Sequence, residues 1–265
     1  MVKIMQVNTG KKLPINPKKD KRPRVYGIPK DELYLCIFAY VCMGALMLVQ
    51  REWGTALLLF LIYFAMTFVY RTNKLLKFVN VAGILAVVIF GYVIFTSDVG
   101  KSLAEHISYR FEAWLDPWKD PRGKGGYQVI QGIMSMTNGG YFGTGLGLGA
   151  PYVVPANHND FIFTSICEEM GMFTGIAVIL LYFILTYRGT KVAIKSENEF
   201  LKASCLALVL SLGFQTFLIV GGVIKPIPLT GITLPFVSSG GSSMLVSYVM
   251  LGIITAFSFA GKKAK

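Results

Sequence analysis

Charge is scarce in this 265-residue chain: 15% of its residues are Asp, Glu, Lys or Arg, against 54% apolar. With a mean hydropathy of +0.56, that balance excludes an ordinary soluble domain and points to a multi-span membrane protein. Histidine is nearly missing. His106 and His158 are the only two, too few for a His-rich metal site. The four cysteines, Cys36, Cys42, Cys167 and Cys205, all fall inside apolar runs without metal-type spacing. They read as small core residues, and no disulfide is expected. Acidic residues number 14 against 26 basic ones, for a net charge of +12. In a soluble protein that excess would suggest nucleic acid. Here the basic residues sit in tails and short loops, so membrane topology accounts for them and no nucleic-acid partner is expected. Residues 1–30 hold nine Lys/Arg with several Pro and Gly but no apolar core of a signal peptide. They read as a basic cytoplasmic tail able to touch anionic headgroups.

What is present is a series of six apolar runs, at about 33–49, 53–70, 75–97, 161–187, 201–224 and 237–260. Each is near the length a spanning helix needs, and their apolar residues do not alternate as membrane strands would. The expected fold is all-α, a polytopic membrane helix bundle over 31–265 with six transmembrane helices. With the N-terminus inside, 19 of the 26 Lys/Arg fall on inside segments, which predicts both termini in the cytoplasm. Residues 98–160 then form one large external loop between helices three and four. Within it, Leu103, Ile107, Phe111, Trp114 and Leu115 recur at near-helical spacing and predict an amphipathic helix over 101–118 at the membrane surface. Asp116-Pro-Trp-Lys-Asp-Pro121 must turn, and a short helix is expected at about 127–136. Glycines at 143, 145, 147 and 149 imitate a dinucleotide fingerprint, but no strand or βαβ unit surrounds them. They suit close backbone approach to a ligand or a neighbouring helix. The Pro- and Gly-rich stretch 223–243 is apolar yet cannot be regular helix. Such backbone persists near membrane depth only under protein or a watered cavity, so it is expected to fold back against the loop bearing Asp160.

The run from Pro155 to Gly171 carries the chemistry. Asp160 stands where a polar loop meets an apolar helix, and Glu168 and Glu169 follow about 12–13 Å further along. At that depth a carboxylate costs at least a few kcal/mol unless it is paired or watered. Asp160 itself fits either an N-cap or a functional acid.

Five stretches, in order, resemble the SEDS family (shape, elongation, division and sporulation), which includes RodA, FtsW and SpoVE. Gln50-Arg-Glu-Trp-Gly-Thr-Ala56 is similar to the family's Gln-Pro-Asp-Leu-Gly-Thr-Ala. Trp114 to Pro121 with Gly126-Tyr-Gln128 resembles the start of its large external loop, and Gly139 to Gly147 its Gly-rich stretch. His158-Asn-Asp-Phe-Ile-Phe163 with Glu168-Glu-Met-Gly171 resembles His-Thr-Asp-Phe-Ile-Phe with Glu-Glu-Leu-Gly. Pro228 to Ser243 resembles the signature before the final helix. Asn159 replaces the family's Thr, and Ser239 its Tyr. The family has ten spanning helices, and this chain is expected to be N-terminally truncated, carrying counterparts of the last six.

The resemblance implies a peptidoglycan glycosyltransferase that polymerises lipid II at the outer face of the cytoplasmic membrane, with a class B penicillin-binding protein as partner. It implies Asp160 as the catalytic carboxylate, acting as general base on the acceptor sugar. Substrate-binding candidates are His158, Gln128, Ser242 and Ser243 from the motifs. Arg110, Lys119, Arg122 and Lys124 are the external cations available to a diphosphate. No cofactor is required, although Mg2+ or Mn2+ can supply the same charge, and no protein metal site is expected. Glu168 and Glu169 read as structural or functional intramembrane acids. Two other functions fit the same composition: a lipid II flippase or other transporter, and an inactive membrane scaffold for a penicillin-binding protein. Elongation, division and sporulation are equally compatible roles.

Overall fold

The computed structural model describes residues 24–25, 28–29, 38, 42, 53–70, 81, 105–121, 123–196 and 198–263. A two-residue antiparallel pairing joins β1 (Arg24–Val25) to β2 (Ile28–Pro29). Otherwise the described regular structure is helical: α1 (Trp53–Tyr70), α2 (Glu105–Leu115), α3 (Lys124–Gly139), a 3-10 turn at Pro151–Val153, α4 (Ile162–Lys195), α5 (Glu199–Val223) and α6 (Gly241–Lys263). The expected all-α membrane fold is observed. Four of the six apolar runs appear as α1, α4, α5 and α6. The runs 33–49 and 75–97 lie outside the described residues, apart from single helical residues at Phe38, Cys42 and Val81. Helices α4 and α5 and residues Gly241–Phe259 of α6 are long and apolar enough to cross a membrane, whereas α1 is shorter.

The chain divides into two compact units. One comprises Met1–Val93, Gly189–Ser211 and Ile253–Lys265; the other comprises Ile94–Arg188 and Leu212–Gly252. In the first, Met66 of α1 is buried with Ala203, and Leu206, Ala207 and Leu210 of α5 pack around them. Gly189 lets α4 and α5 cross closely, since a Cβ there would lie 2.5 Å from Val209 Cγ2. Small residues serve this purpose where lipid offers no hydrophobic drive for helix association.

The second unit holds the apolar cluster that matters for the site: Val154, Phe161, Phe163, Cys167, Ile219, Val220, Val223, Leu229 and Leu234. It ties the loop before α4, the first turns of α4, the end of α5 and the stretch that follows. The expected amphipathic and short loop helices are α2 and α3, shifted by a few residues, and the Asp-Pro turn separates them.

The expectation of one continuous fourth helix needs correction. Gly171 stands at φ 83, ψ 168 inside α4 and divides it into 162–170 and 172–195. A break in a spanning helix strands backbone donors and acceptors where no water can satisfy them. The Gly-rich loop after α3 satisfies both sides. Thr144 N–H donates to Glu168 O (2.9 Å) and Gly145 N–H to Glu169 O (3.0 Å), while Gly140 O accepts from Met172 N–H (2.9 Å) and Tyr141 O from Phe173 N–H (3.4 Å). Contact this close excludes side chains. A Cβ on Gly143 would lie 2.2 Å from Glu169 O, and one on Gly171 2.3 Å from Tyr141 O. Glycine in this stretch serves approach to a neighbouring helix.

Gly171→Ala should therefore lose about 3 kcal/mol, combining a backbone region open almost only to glycine with a backbone clash. A melting temperature in detergent indistinguishable from wild type would show that the break is not held as described.

Candidate active site

The site is assembled in the second unit by three segments that meet around Asp160. The loop before α4 turns tightly at Ala156, which has φ 57 and whose carbonyl accepts from Asn159 N–H (3.0 Å) and Phe161 N–H (3.3 Å). Phe161 is fully buried and its ring fills the space that a side chain on Gly132 of α3 would need. Phe161 O accepts from Thr164 and Ser165 N–H, so Phe161 is the helix cap. Asp160 stands one residue earlier. No described backbone N–H bonds its carboxylate, which removes the N-cap explanation for an acid at this position.

The Pro- and Gly-rich stretch after α5 folds back onto this loop, as its composition predicts. Ser239 N–H donates to His158 O (2.9 Å), and Ser238 Oγ donates to Asn159 O (2.8 Å). Ser239 Oγ donates to Asn159 Oδ1 (2.9 Å). Asn159 and Ser239, two of the positions at which this sequence departs from the family pattern, are thus hydrogen-bonded to each other. Side chains from the surrounding helices take up the stretch's own carbonyls. Trp114 Nε1 donates to Lys225 O (2.8 Å), Arg110 Nη1 to Leu229 O (3.3 Å), Gln215 Nε2 to Thr233 O (2.9 Å) and the Tyr182 hydroxyl to Pro235 O. The non-helical backbone of this stretch is thus covered by protein, as irregular backbone next to spanning helices requires.

These contacts leave a cleft that opens to solvent. Tyr109, Arg110, Ala113 and Trp114 of α2 form one wall, and Gly125, Gln128 and Val129 of α3 another. Asp160, Gly222, Lys225 and Leu229 complete it. Burial holds the Asp160 carboxyl above its ordinary value of 3.8, and the Arg110 guanidinium draws it part of the way back. Arg110 is held by Leu229 O and by the Tyr109 hydroxyl, to which Nε donates at 3.3 Å. The Gln128 amide nitrogen donates to Pro155 O (3.1 Å). Among the described residues no group of three His, Cys, Asp or Glu could hold a metal ion. The lining carries one carboxylate and two cations, a donor set suited to an anion.

Of the sequence-predicted residues, the structure brings Asp160, Arg110 and Gln128 to one cleft. His158 is exposed and contributes its carbonyl to Ser239. Lys119 is exposed in the turn between α2 and α3, and Ser242 is exposed at the start of α6. Ser243 Oγ is shared with Thr233 Oγ1 at 2.6 Å. None of these four lines the cleft. Arg122 and the side chain of Lys124 lie outside the described residues. Sequence reasoning missed Tyr109, Trp114 and Lys225 as cleft residues. Lys225 sits 115 positions from Arg110, and only the fold-back of its stretch, already expected from the prolines, could have suggested the meeting.

Glu168 has a separate task. It is 3% exposed, and its carboxylate accepts from Ser135 Oγ (2.6 Å), Asn138 Nδ2 (3.3 Å) and Ala150 N–H (3.1 Å). One buried acid thus fastens α3, the Gly-rich loop and the first part of α4. The Glu169 carbonyl takes the next bond of the same seam.

Sequence similarity establishes the kinship of the chain that carries this site. The family model described as cell cycle protein, covering FtsW, RodA and SpoVE, matches residues 18–263. The chain belongs to the FtsW/RodA/SpoVE family. It is similar to a peptidoglycan glycosyltransferase RodA of Mycobacterium bovis, 36% identical over 89% of this chain and 48% of the relative. The RodA of Mycobacterium leprae is 37% identical over 88% and 48%. A probable peptidoglycan glycosyltransferase FtsW of a Geobacter strain is 32% identical over 79% and 55%. The chain spans about half the length of these family members. A solved chain, from work on structural coordination of polymerization and crosslinking by a peptidoglycan synthase complex, matches with TM-score 0.67 and 22% identity. It covers 87% of this chain and 62% of its own, which shows the shared fold.

Glu168→Ala should cost about 3 kcal/mol, because it leaves Ser135 and the Ala150 N–H without their partner in the protein interior. Glu168→Gln should cost under about 1 kcal/mol, since the Ser135 hydroxyl can reverse and accept. Thermal unfolding in detergent separates the two, and equal losses would count against the bracket.

Proposed function

We propose that this chain carries the catalytic half of a peptidoglycan glycosyltransferase, polymerising lipid II at the outer face of the cytoplasmic membrane with Asp160 as general base. One observation carries the reading: a partly buried carboxylate of raised pKa shares a cleft with two cations. In the proposed step Asp160 takes the proton of the acceptor sugar's hydroxyl as its oxygen attacks the anomeric carbon of a second lipid-linked sugar. The bond from that carbon to the diphosphate oxygen breaks, and the diphosphate leaves with the electron pair. A single displacement of this kind inverts the anomeric centre and needs one base and a stabilised leaving group. The leaving group needs positive charge and no proton, so Arg110 fits the role of electrostatic stabiliser. Any Mg2+ or Mn2+ would arrive on the diphosphate, given the donor set of the cleft. The names of the relatives support the polymerase reading, and the described chain of a synthase complex supports a class B penicillin-binding protein as partner. Whether the setting is elongation, division or sporulation is a property of that partnership.

Orientation belongs to the same proposal. Helix α4 is long and apolar enough to span, so its two ends face opposite compartments, with the excess of Lys/Arg marking the cytoplasmic one. In a cysteine-free background, Lys119→Cys should react with an impermeant thiol reagent on intact cells and Lys195→Cys should not. The reverse pattern would put Asp160 on the wrong side for external glycan synthesis.

Asp160→Asn should lower lipid II polymerisation by about 10²–10⁴-fold, the share of a positioned base, in the complete complex at equal folded protein. Stability at neutral pH should not fall. Burial raises the folded-state pKa, so ionised Asp160 weakens the fold as pH rises through that value, and the neutral amide escapes this cost. For catalysis the sign is opposite, because only the ionised form accepts a proton. The acid limb of the rate should therefore lie above pH 3.8, and Arg110→Gln should move it higher still. Near-wild-type polymerisation by Asp160→Asn, or an acid limb that Arg110→Gln moves down, would refute the assignment.

A further inference from the structure

The fold adds to the cleft a cation that belongs to none of the motifs. Lys225 is one of three described non-glycine residues with positive φ, at 71°. Lysine rarely adopts that conformation, and such outliers persist only where their surroundings enforce them. Here Trp114 Nε1 holds the Lys225 carbonyl (2.8 Å), Ile227 N–H reaches back to Gly221 O (3.4 Å), and Pro226 fixes the next backbone angle. Arg110 and Trp114, one turn apart on α2, grip the same turn at Leu229 O and Lys225 O.

The charges divide unequally. Arg110 is the cation that acts on the Asp160 carboxyl. Among the described residues no ion pair takes up the Lys225 ammonium. One carboxylate against two cations leaves the cleft a net positive charge beside a partly desolvated wall, where a fixed charge acts more strongly than in water.

Resting on the polymerase reading for the identity of its ligand, we infer that Lys225 is a binding residue for a polyprenyl-linked diphosphate, set in place by the enforced turn. The ammonium suits this role as a compact point charge on a flexible stem, able to follow a diphosphate as its charge changes during bond cleavage. A bland alternative is a surface lysine that happens to border a cavity. The turn makes the two separable, because glycine favours φ above zero whereas removal of the charge affects only a ligand.

The test compares wild type, Lys225→Gly and Lys225→Arg in nanodiscs, titrated with undecaprenyl diphosphate. Undecaprenyl phosphate, inorganic pyrophosphate and phosphatidylglycerol serve as separate arms. Lys225→Gly should melt no lower than wild type yet bind undecaprenyl diphosphate about tenfold more weakly, the order expected for one charged contact. Its affinity should also depend less on salt. Lys225→Arg should restore both. Equal affinity and salt dependence for wild type and Lys225→Gly would overturn the assignment. So would failure of wild type to bind the diphosphate lipid, or equal binding of phosphatidylglycerol. A wild type that binds through Lys225 but polymerises no lipid II would refute the polymerase reading alone.

Discussion

The unpaired backbone groups at the break in α4 are the constraint from which much of the second unit follows. Within lipid, two carbonyls and two N–H groups left open at Gly171 would each cost several kcal/mol. They are met by a loop that can lie backbone against backbone only because Gly139, Gly143 and Gly171 lack side chains. That seam fixes the end of α3 against the first part of α4. The buried Glu168 locks it a second time through Ser135, Asn138 and Ala150. Gln128 at one end of α3 and Asp160 just before α4 are thereby held across one cleft.

A second set of bonds does for the opposite wall what the seam does for the first. The stretch after α5 has prolines and glycines that forbid a helix, so its carbonyls must find side-chain donors. Trp114, Arg110, Gln215 and Tyr182 supply them. Arg110 and Trp114 therefore have two tasks, since both also line the cleft. In a lipid environment the same residues that satisfy irregular backbone are drawn to the place where irregular backbone makes room for a ligand.

Much of this was legible in the sequence, for reasons that are physical. Long uninterrupted apolar runs have few alternatives to spanning helices, and the composition of 223–243 required covered, non-helical backbone. Asp160 stood out because it is the acid at the point where a polar loop meets an apolar run. What escaped was information that depends on pairing between distant segments. The break at Gly171 is invisible locally, since Met170 and Met172 continue the apolar pattern and a single glycine is tolerated in a helix. Its reason lies 30 residues earlier, in the loop that needs to reach the backbone. Of the described external cations weighed from the loop, Arg110 lines the cleft and Lys119 does not. Lys225 belongs to none of the family motifs and stands in an apolar stretch, so nothing local marks it. The bond between Ser239 and Asn159 likewise joins two departures from the family pattern that, read singly, had no connection.

The electrostatics of the cleft suit the proposed base because burial and charge oppose each other without cancelling. A direct ion pair with Arg110 would hold the Asp160 carboxylate in its ionised form and make it a poor proton acceptor. Here desolvation outweighs the guanidinium, and the carboxyl remains above its ordinary value. Arg110 is meanwhile engaged with Leu229 O and the Tyr109 hydroxyl, bonds that orient it without neutralising it. Its charge remains available for negative charge that develops elsewhere in the cleft. A lipid-linked diphosphate would gain from the very positive charge that lowers basicity, so the two needs compete for Arg110. A second cation that does not act on Asp160 relieves that competition, and Lys225, on the facing segment, is in the position to provide it.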